Sequence, residues 1–381
     1  MTDLLPQPGI LFTLATYILM VAILVVVHEG GHYLAGRFFG VKIDAFAFGF
    51  GRELFGFNDR RGTRWRFNLV PLGGYVKFTG DMNAASQPDP ALSALPTAER
   101  EALFLFKPLW QRAIIVAAGP LINFAFAILI LAGVYLALGH PSTPPVVSAV
   151  LPGGPAAMAG IAPGDRIIAV DGSSVARFED IASAAMISSG SPMQVEFARD
   201  GVVRSVVITP RIVESVDRFG GVVRHGRLGI ARSGEQVVDR VGPFAALRYG
   251  AVDTWGITVS IARTLRQIVM GERSLDELGG PIKTGQVTGQ QASLGVLSFI
   301  VFMAFFSINL GFINLVPIPM LDGGHLLLYA VEAVRRQPIG AKVQEWAFMS
   351  GFAAIMTLMV VLTWNDLSSV GVWARMTAWL S

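Results

Sequence analysis

Four stretches of this chain are almost continuously apolar, at approximately 10–36, 112–138, 294–334 and 346–366. A bilayer core of roughly 30 Å takes about 20 helical residues, so each is long enough to cross one. The third is too long for one clean span and is interrupted by Pro317, Pro319, Gly323 and Gly324. Irregular backbone at membrane depth is tolerated only where protein or a cavity surrounds it, so this break invites a functional reading. After the first span the pattern changes. Residues 41–57 and 64–78 are rich in Phe, Val and Gly and flank Asn58-Asp59-Arg60-Arg61-Gly62, which predicts a β-hairpin with apolar arms and a charged tip. Residues 81–98, with Pro88, Pro90 and Pro96, read as a linker.

From residue 143 the apolar runs become short. Strands are predicted at Val146–Val150, Arg166–Val170, Gln194–Phe197 and Val202–Ile208, a helix at Phe178–Ser188, and turns at Asp171-Gly172 and Asp200-Gly201, the pattern of a soluble α/β module. Residues 243–270 are amphipathic and carry Arg248, Asp253, Arg263 and Arg266. They predict an interfacial helix; a fifth span is the other reading, and the cost of buried charge weighs against it. The expected order is a first transmembrane helix in 1–38, a hairpin and linker in 39–111, and a second transmembrane helix in 112–138. An α/β domain in 143–232 and an amphipathic connecting region in 233–293 follow, then a broken third span in 294–334, a fourth span in 346–366 and a tail in 367–381.

Composition agrees with a polytopic α-helical membrane protein. Hydrophobic residues make up 52% of the chain and charged residues 15%, against about a quarter charged in soluble domains. Mean hydropathy is +0.55. Net charge is +3 with no basic low-complexity run, which argues for Lys and Arg on inside-facing loops and against nucleic-acid binding. Arg37, Lys42, Arg52, Arg60, Arg61, Arg64 and Arg66 follow the first span, and Arg335, Arg336 and Lys342 separate the last two. Both loops are therefore expected to be cytoplasmic, with the N-terminus and the module outside. Residues 1–9 contain Asp3 and no Lys or Arg, so a removable signal peptide is not expected. There is no cysteine, so any metal must be held by His, Asp or Glu.

Candidate chemistry sits late in the first span, at His28-Glu29-Gly30-Gly31-His32. Residues four apart on a helix share a face, so both imidazoles can reach one Zn²⁺, and Glu29 beside them can take a proton from water. An ionisable group in a bilayer-spanning helix costs at least about 2.5–3.5 kcal/mol, which makes a merely structural cluster improbable there. A catalytic zinc usually has three protein ligands. Asp322 in the broken span is the expected third, since Pro317 and Pro319 precede it and, with the glycine pair, unwind the helix so that a carboxylate can turn inward. His325 is the competitor.

HExxH in the first span, paired with Asn314-Leu315-Val316-Pro317-Ile318-Pro319-Met320-Leu321-Asp322-Gly323 in a later one, resembles the site-2 protease family of intramembrane zinc metalloproteases. It is closest to the bacterial regulator-of-sigma-E-protease type that cleaves anti-sigma factors. Gly119-Pro120-Leu121-Ile122-Asn123 resembles that family's second-span signature, and Ser307 to Asn314 its approach to the aspartate. The resemblance implies His28, His32 and Asp322 as zinc ligands, Glu29 as general base, and Asn309 and Asn314 as groups holding the substrate backbone. Gly49-Phe50-Gly51 and Leu72-Gly73-Gly74-Tyr75 are similar to its membrane-reentrant β-hairpin, which adds Gly73 and Gly74 to the substrate-binding set. Leu151-Pro152-Gly153-Gly154-Pro155-Ala156, Gly164-Asp165-Arg166-Ile167 and Val170-Asp171-Gly172 resemble a single periplasmic PDZ domain. Arg227-Leu228-Gly229-Ile230 is either its carboxylate-binding loop or a plain strand start.

The implied activity is that of a zinc metalloendopeptidase in a bacterial inner membrane. It would cut single-pass membrane proteins within their spans during regulated intramembrane proteolysis, with peptide tails as possible PDZ ligands. A substrate helix must unwind to expose its amides, and the hairpin could receive it as an added strand. The module's place in the chain, between the second and third spans, suggests a gate that excludes bulky substrates. The rivals are a catalytically silent PDZ membrane adaptor, against which intact Glu29 argues, and a zinc transporter, against which the lack of an internal repeat argues.

Overall fold

A computed structural model of the chain describes residues 8–80, 95–188, 190–216, 222–232, 237–271 and 279–369. Residues 1–7 of the expected N-terminus, most of the expected linker at 81–98 and residues 370–381 of the tail lie outside this set. The contacts divide the chain into two units: residues 1–131, 250–262 and 278–381, and residues 132–249 with 263–277.

The helices of the first unit begin with α1 (Ile10–Phe38), the short α2 (Thr97–Glu101) and α3 (Leu109–Leu138). At 1.5 Å per residue, α1 is roughly 44 Å long. It is apolar on all sides, yet buries chiefly the stripe Met20, Leu24, His28 and Gly31. Ile10, Leu11 and Leu34 on the other faces are exposed, which is the surface a lipid-facing helix presents. Met20 and Leu24 pack with Met303, Phe126 and Ile130. Among the described residues four helices are long and apolar enough to cross a membrane: α1, α3, Val296–Leu315 and Lys342–Ser368.

The predicted hairpin forms from β1 (Ile43–Asn58) and β2 (Arg64–Phe78), but it is not a simple two-armed ribbon. Residues 45–48 pair on one side with 74–77 and on the other with 64–67, which in turn pair with 55–58. The ribbon doubles back because Gly49 adopts φ +81°, and a Cβ there would lie 2.5 Å from the Val70 carbonyl oxygen. The strand at 74–78 is left as an outer edge of this sheet. At the tip, Asp59 accepts hydrogen bonds from the amides of Arg61 and Thr63, the Tyr33 hydroxyl and the Trp65 ring N–H. Burial alone would raise its carboxyl, but these donors hold it down at about 2.

The second unit carries β3 (His140–Ser142), β4 (Val147–Val150), α4 (Pro155–Met158), β5 (Arg166–Val170), β6 (Ser173–Ser174), α5 (Phe178–Ile187), β7 (Met193–Arg199) and β8 (Val202–Ile208). It continues through β9 (Arg211–Val216), β10 (Val222–Arg227), β11 (Ile230–Arg232) and β12 (Val237–Asp239). The antiparallel sheet β6-β5-β7-β8 and helix α5 enclose Val147, Ile167, Ile181, Val195, Phe197 and Leu228. The four predicted strands and the helix fall within a residue or two of their expected places. Leu228 is core, and Ile230 opens β11 by pairing with Val150 in β4, so Arg227–Ile230 leads into a strand. Asp165 is buried against Arg199, which donates to it from Nε and Nη2, each at 2.7 Å. Burial would raise this carboxyl, but the guanidinium and the Ala162 amide keep it below its usual range.

Beyond α6 (Pro243–Val269) come α7 (Pro281–Ser293), α8 (Val296–Leu315), α9 (Asp322–Arg335) and α10 (Ala341–Ser369). The α7 helix corrects one expectation: the end of the supposed connecting region is a packed element of the first unit. Gly285 and Gly289 face Tyr17 and Thr13 of α1, and a Cβ at Gly289 would stand 2.6 Å from Thr13 Oγ1. Its start is held from a distance, since Asp366 on α10 accepts the amides of Gly280, Ile282 and Lys283, each at 3.0 Å. Small polar residues with little apolar content gave no periodic signal, and the residue that caps the helix is more than 80 positions away. Asp366→Ala should strip these amides of their acceptor and cost about 1–3 kcal/mol. Thermal unfolding in detergent measures it; an unchanged midpoint would show that the bracket contributes nothing.

Candidate metal centre and cavity

Three helices bring the polar residues together. His28 and His32, one turn apart on α1, place their ring centroids 4.9 Å apart, with 3.3 Å between the two Nε2 atoms. Asp322 is the first residue of α9, where a carboxylate is favoured by the helix dipole. Its Oδ2 lies 3.2 Å from His28 Nε2, and its Oδ1 lies 3.5 Å from His32 Nε2. These are the described residues whose ligand atoms converge as a potential metal group.

A zinc ion fits this donor set. Four ligands at about 2.0–2.1 Å in a tetrahedron stand roughly 3.3–3.4 Å from one another; His28 Nε2 stands 3.3 Å from His32 Nε2 and 3.2 Å from Asp322 Oδ2, and the other carboxylate oxygen lies 3.5 Å from His32 Nε2. Asp322 Oδ2 is buried with only the His28 ring nitrogen beside it, an arrangement that an ion would satisfy. His32 Nδ1 lies 2.9 Å from the Ile115 carbonyl oxygen on α3. That oxygen can only accept, so Nδ1 carries a proton, and in the neutral ring this leaves the Nε2 lone pair free for a metal held beside Asp322.

The backbone around the site depends on close approach. A Cβ on Gly31 would lie 2.3 Å from the Ala118 carbonyl oxygen, whereas one on Gly30 would meet nothing within 4 Å. Gly31 therefore lets α1 and α3 touch. In the third span the break itself runs from Val316 to Leu321, between α8 and α9. Gly323 and Gly324 lie inside α9, contrary to the expectation that they help unwind the chain. A Cβ on either would stand 2.3 Å from a carbonyl oxygen of the break, that of Val316 or Ile318. The prolines open the helix and the glycines let its two halves fold against each other. Met320 completes the turn at φ +86°. Arg112 on α3 anchors α9 through Glu332 at 3.1 Å and lies over the Tyr329 ring.

A cavity of about 540 Å³ opens on this cluster, lined by His28, Glu29, His32, Asp322 and His325, by Gly74–Phe78 of the hairpin edge, and by Phe50, Phe104, Asn314 and Tyr329 among others. Glu29 accepts a hydrogen bond from the Val76 amide on that edge. Of the four predicted substrate-holding residues, Asn314 and Gly74 line the cavity. Asn309 and Gly73 do not: the Asn309 side chain donates to Phe305 of its own helix, and Gly73 stands against the Phe50 ring. His325 lines the cavity without joining the three-residue cluster, its ring 4.8 Å from that of Phe348. The sequence pointed to the HExxH and Asp322 groups and, through the family resemblance, to Gly119–Asn123, but not to the close approach at Gly119, where a Cβ would lie 2.2 Å from His32 Nε2, nor to the aromatic walls.

Comparison with known proteins points to a family of metalloproteases. The model of peptidase family M50 matches residues 16–358. A protein of Rhizobium meliloti named as a zinc metalloprotease is 43% identical over 361 residues, 94% of this chain and 96% of its own length. One of Agrobacterium fabrum with the same kind of name is 43% identical over 358 residues, 93% of this chain and 95% of its own. The metalloprotease MmpA of Caulobacter vibrioides is 37% identical over 383 residues, at 94% and 96% coverage.

Proposed function

This chain belongs to peptidase family M50, and from that premise we propose that it hydrolyses peptide bonds inside the transmembrane segments of other membrane proteins. It is a zinc metalloprotease embedded in a membrane. The observation that carries the finer reading is the cavity where Glu29, the His28–His32–Asp322 cluster and the hairpin edge at 74–78 meet.

In this reading His28, His32 and Asp322 hold the zinc. Zinc, when bound, supplies a Lewis acid that acidifies water and polarises the scissile carbonyl. Glu29 removes the proton of the attacking water. The edge at 74–78, in a membrane-reentrant hairpin, receives the unwound substrate as an added strand and meets its amides where lipid offers no hydrogen bonds. Asn314 and Gly74 contact the substrate backbone from the cavity wall. Phe50, Tyr75 and Tyr329 shield the site from bulk water. Residues 143–232 act as a PDZ domain that binds peptide tails on the periplasmic side of a bacterial inner membrane. The substrates are single-pass proteins such as anti-sigma factors, cut in regulated intramembrane proteolysis.

The purified zinc-loaded protein should cut a single-span substrate bearing helix-weakening residues. Asp322→Ala should lose zinc and cleavage together, while His325→Ala keeps most of its zinc, as metal analysis of both variants will show. The reverse pattern would transfer the third-ligand role to His325. Full zinc content with no cleavage of any spanning substrate would favour the silent adaptor, and zinc flux into sealed vesicles the transporter.

Val76→Pro removes the amide that Glu29 accepts and strains the edge strand. Cleavage should fall at least roughly tenfold, the worth of a hydrogen bond to a charged group, with zinc content constant. Unchanged cleavage would deny the edge strand both roles.

A further inference from the structure

His28 has a partner that the metal cluster does not account for. Asn123 on α3 is fully buried, and its side-chain nitrogen stands 3.1 Å from His28 Nδ1. Its side-chain oxygen is buried with no hydrogen-bond partner. The residue is fixed from the other side as well. Ser307 Oγ on α8 donates to the Asn123 carbonyl oxygen at 2.9 Å. Gly311, one turn further along α8, comes so close that a Cβ there would meet Pro120 O at 2.9 Å and Asn123 Cβ at 3.3 Å. The α8 helix thus presses this turn of α3 against His28.

The two faces of the Asn123 amide have opposite consequences for a metal. With the nitrogen toward Nδ1, His28 accepts there and must carry its ring proton on Nε2, aimed at Asp322. Such a ring offers no lone pair at the cluster. Turned over, the amide presents its unpartnered oxygen to an Nδ1–H, and Nε2 becomes free to bind. The two orientations have nearly the same shape, and which is adopted follows the hydrogen bonds available. We propose that Asn123 is the positioning residue of His28: its side-chain oxygen accepts the Nδ1–H and holds the Nε2 lone pair toward the zinc position.

This proposal rests on the reading of His28 as a zinc ligand. It gives His28 what the Ile115 carbonyl gives His32, so both rings are oriented from α3. The two supports differ in kind. A main-chain carbonyl can only accept, whereas a neutral amide can serve His28 in either tautomer, before and after the metal binds.

The test compares zinc affinities of the full-length purified protein, using a chromophoric chelator as competitor, for the wild type and the variants Asn123→Leu, Asn123→Asp and His28→Ala. Asn123→Leu keeps the branching and heavy-atom count of the side chain but offers no acceptor, and its dissociation constant should rise about 10- to 100-fold. Asn123→Asp restores an acceptor for Nδ1–H and should recover most of that loss. The absorption bands of the Co²⁺-substituted protein should shift in the Leu variant and return toward wild type in the Asp variant. Equal losses in both variants would reduce Asn123 to packing and overturn the proposal, as would a Leu variant that binds zinc like the wild type. His28→Ala separates the premise from the inference. Loss of zinc there, with Asn123→Leu unaffected, refutes the role of Asn123 alone; full zinc binding without His28 refutes both.

Discussion

Glu29→Gln should bind zinc as the wild type does and cut at least about a hundredfold more slowly, the lower range of what a general base contributes. The side chain lines the cavity beside the three metal-directed residues but is not one of them. Gln keeps its length and can still accept from the Val76 amide, so neither the hairpin edge nor the metal cluster loses a contact. What disappears is the capacity to take a proton. Single-turnover cleavage of a transmembrane substrate, with zinc content measured on the same sample, decides the matter. Substantial activity at full zinc occupancy would remove Glu29 from the chemistry.

Gly119→Ala should be nearly as damaging by a different route. The new methyl would begin 2.2 Å from His32 Nε2 and 2.4 Å from its Cε1, far inside van der Waals contact. Helix α3 cannot easily retreat, since Gly31 already holds α1 against Ala118 at backbone distance. The cheapest relief is for the His32 ring to turn away, breaking its contact with the Ile115 carbonyl. One of two imidazoles then leaves the site. Zinc affinity should drop at least about tenfold, the minimum expected when even an outer partner of a ligand is lost, and cleavage should fall with it. Gly30→Ala is the matched control, because a Cβ there meets nothing within 4 Å. Equal zinc binding in Gly119→Ala and the wild type would show that the ring can shift without cost.

The sequence by itself marked out four apolar spans, the three residues that converge as a potential metal group, and the strands between residues 146 and 208 of the inserted module. Apolar runs of bilayer length, an HExxH pair and the proline break before Asp322 are local signals, each carried by residues within a few turns of one another. The strands of residues 143–232 were legible for the same reason, as apolar runs set off by Asp-Gly turns. Tertiary structure alone decided what those signals meet. The hairpin doubles back because Gly49 admits the Val70 carbonyl, and this leaves 74–78 as the edge that runs past Glu29. The α7 helix is held by Asp366 from another helix, so its own residues announce little. Gly119 and Asn123 stand out in the sequence only through the resemblance of Gly119–Asn123 to a family signature, and what they do becomes legible once α1 is packed against them. A glycine's purpose in excluding a side chain, and an amide's in holding a ring nitrogen, are properties of the neighbour, and that neighbour lies more than 80 residues away.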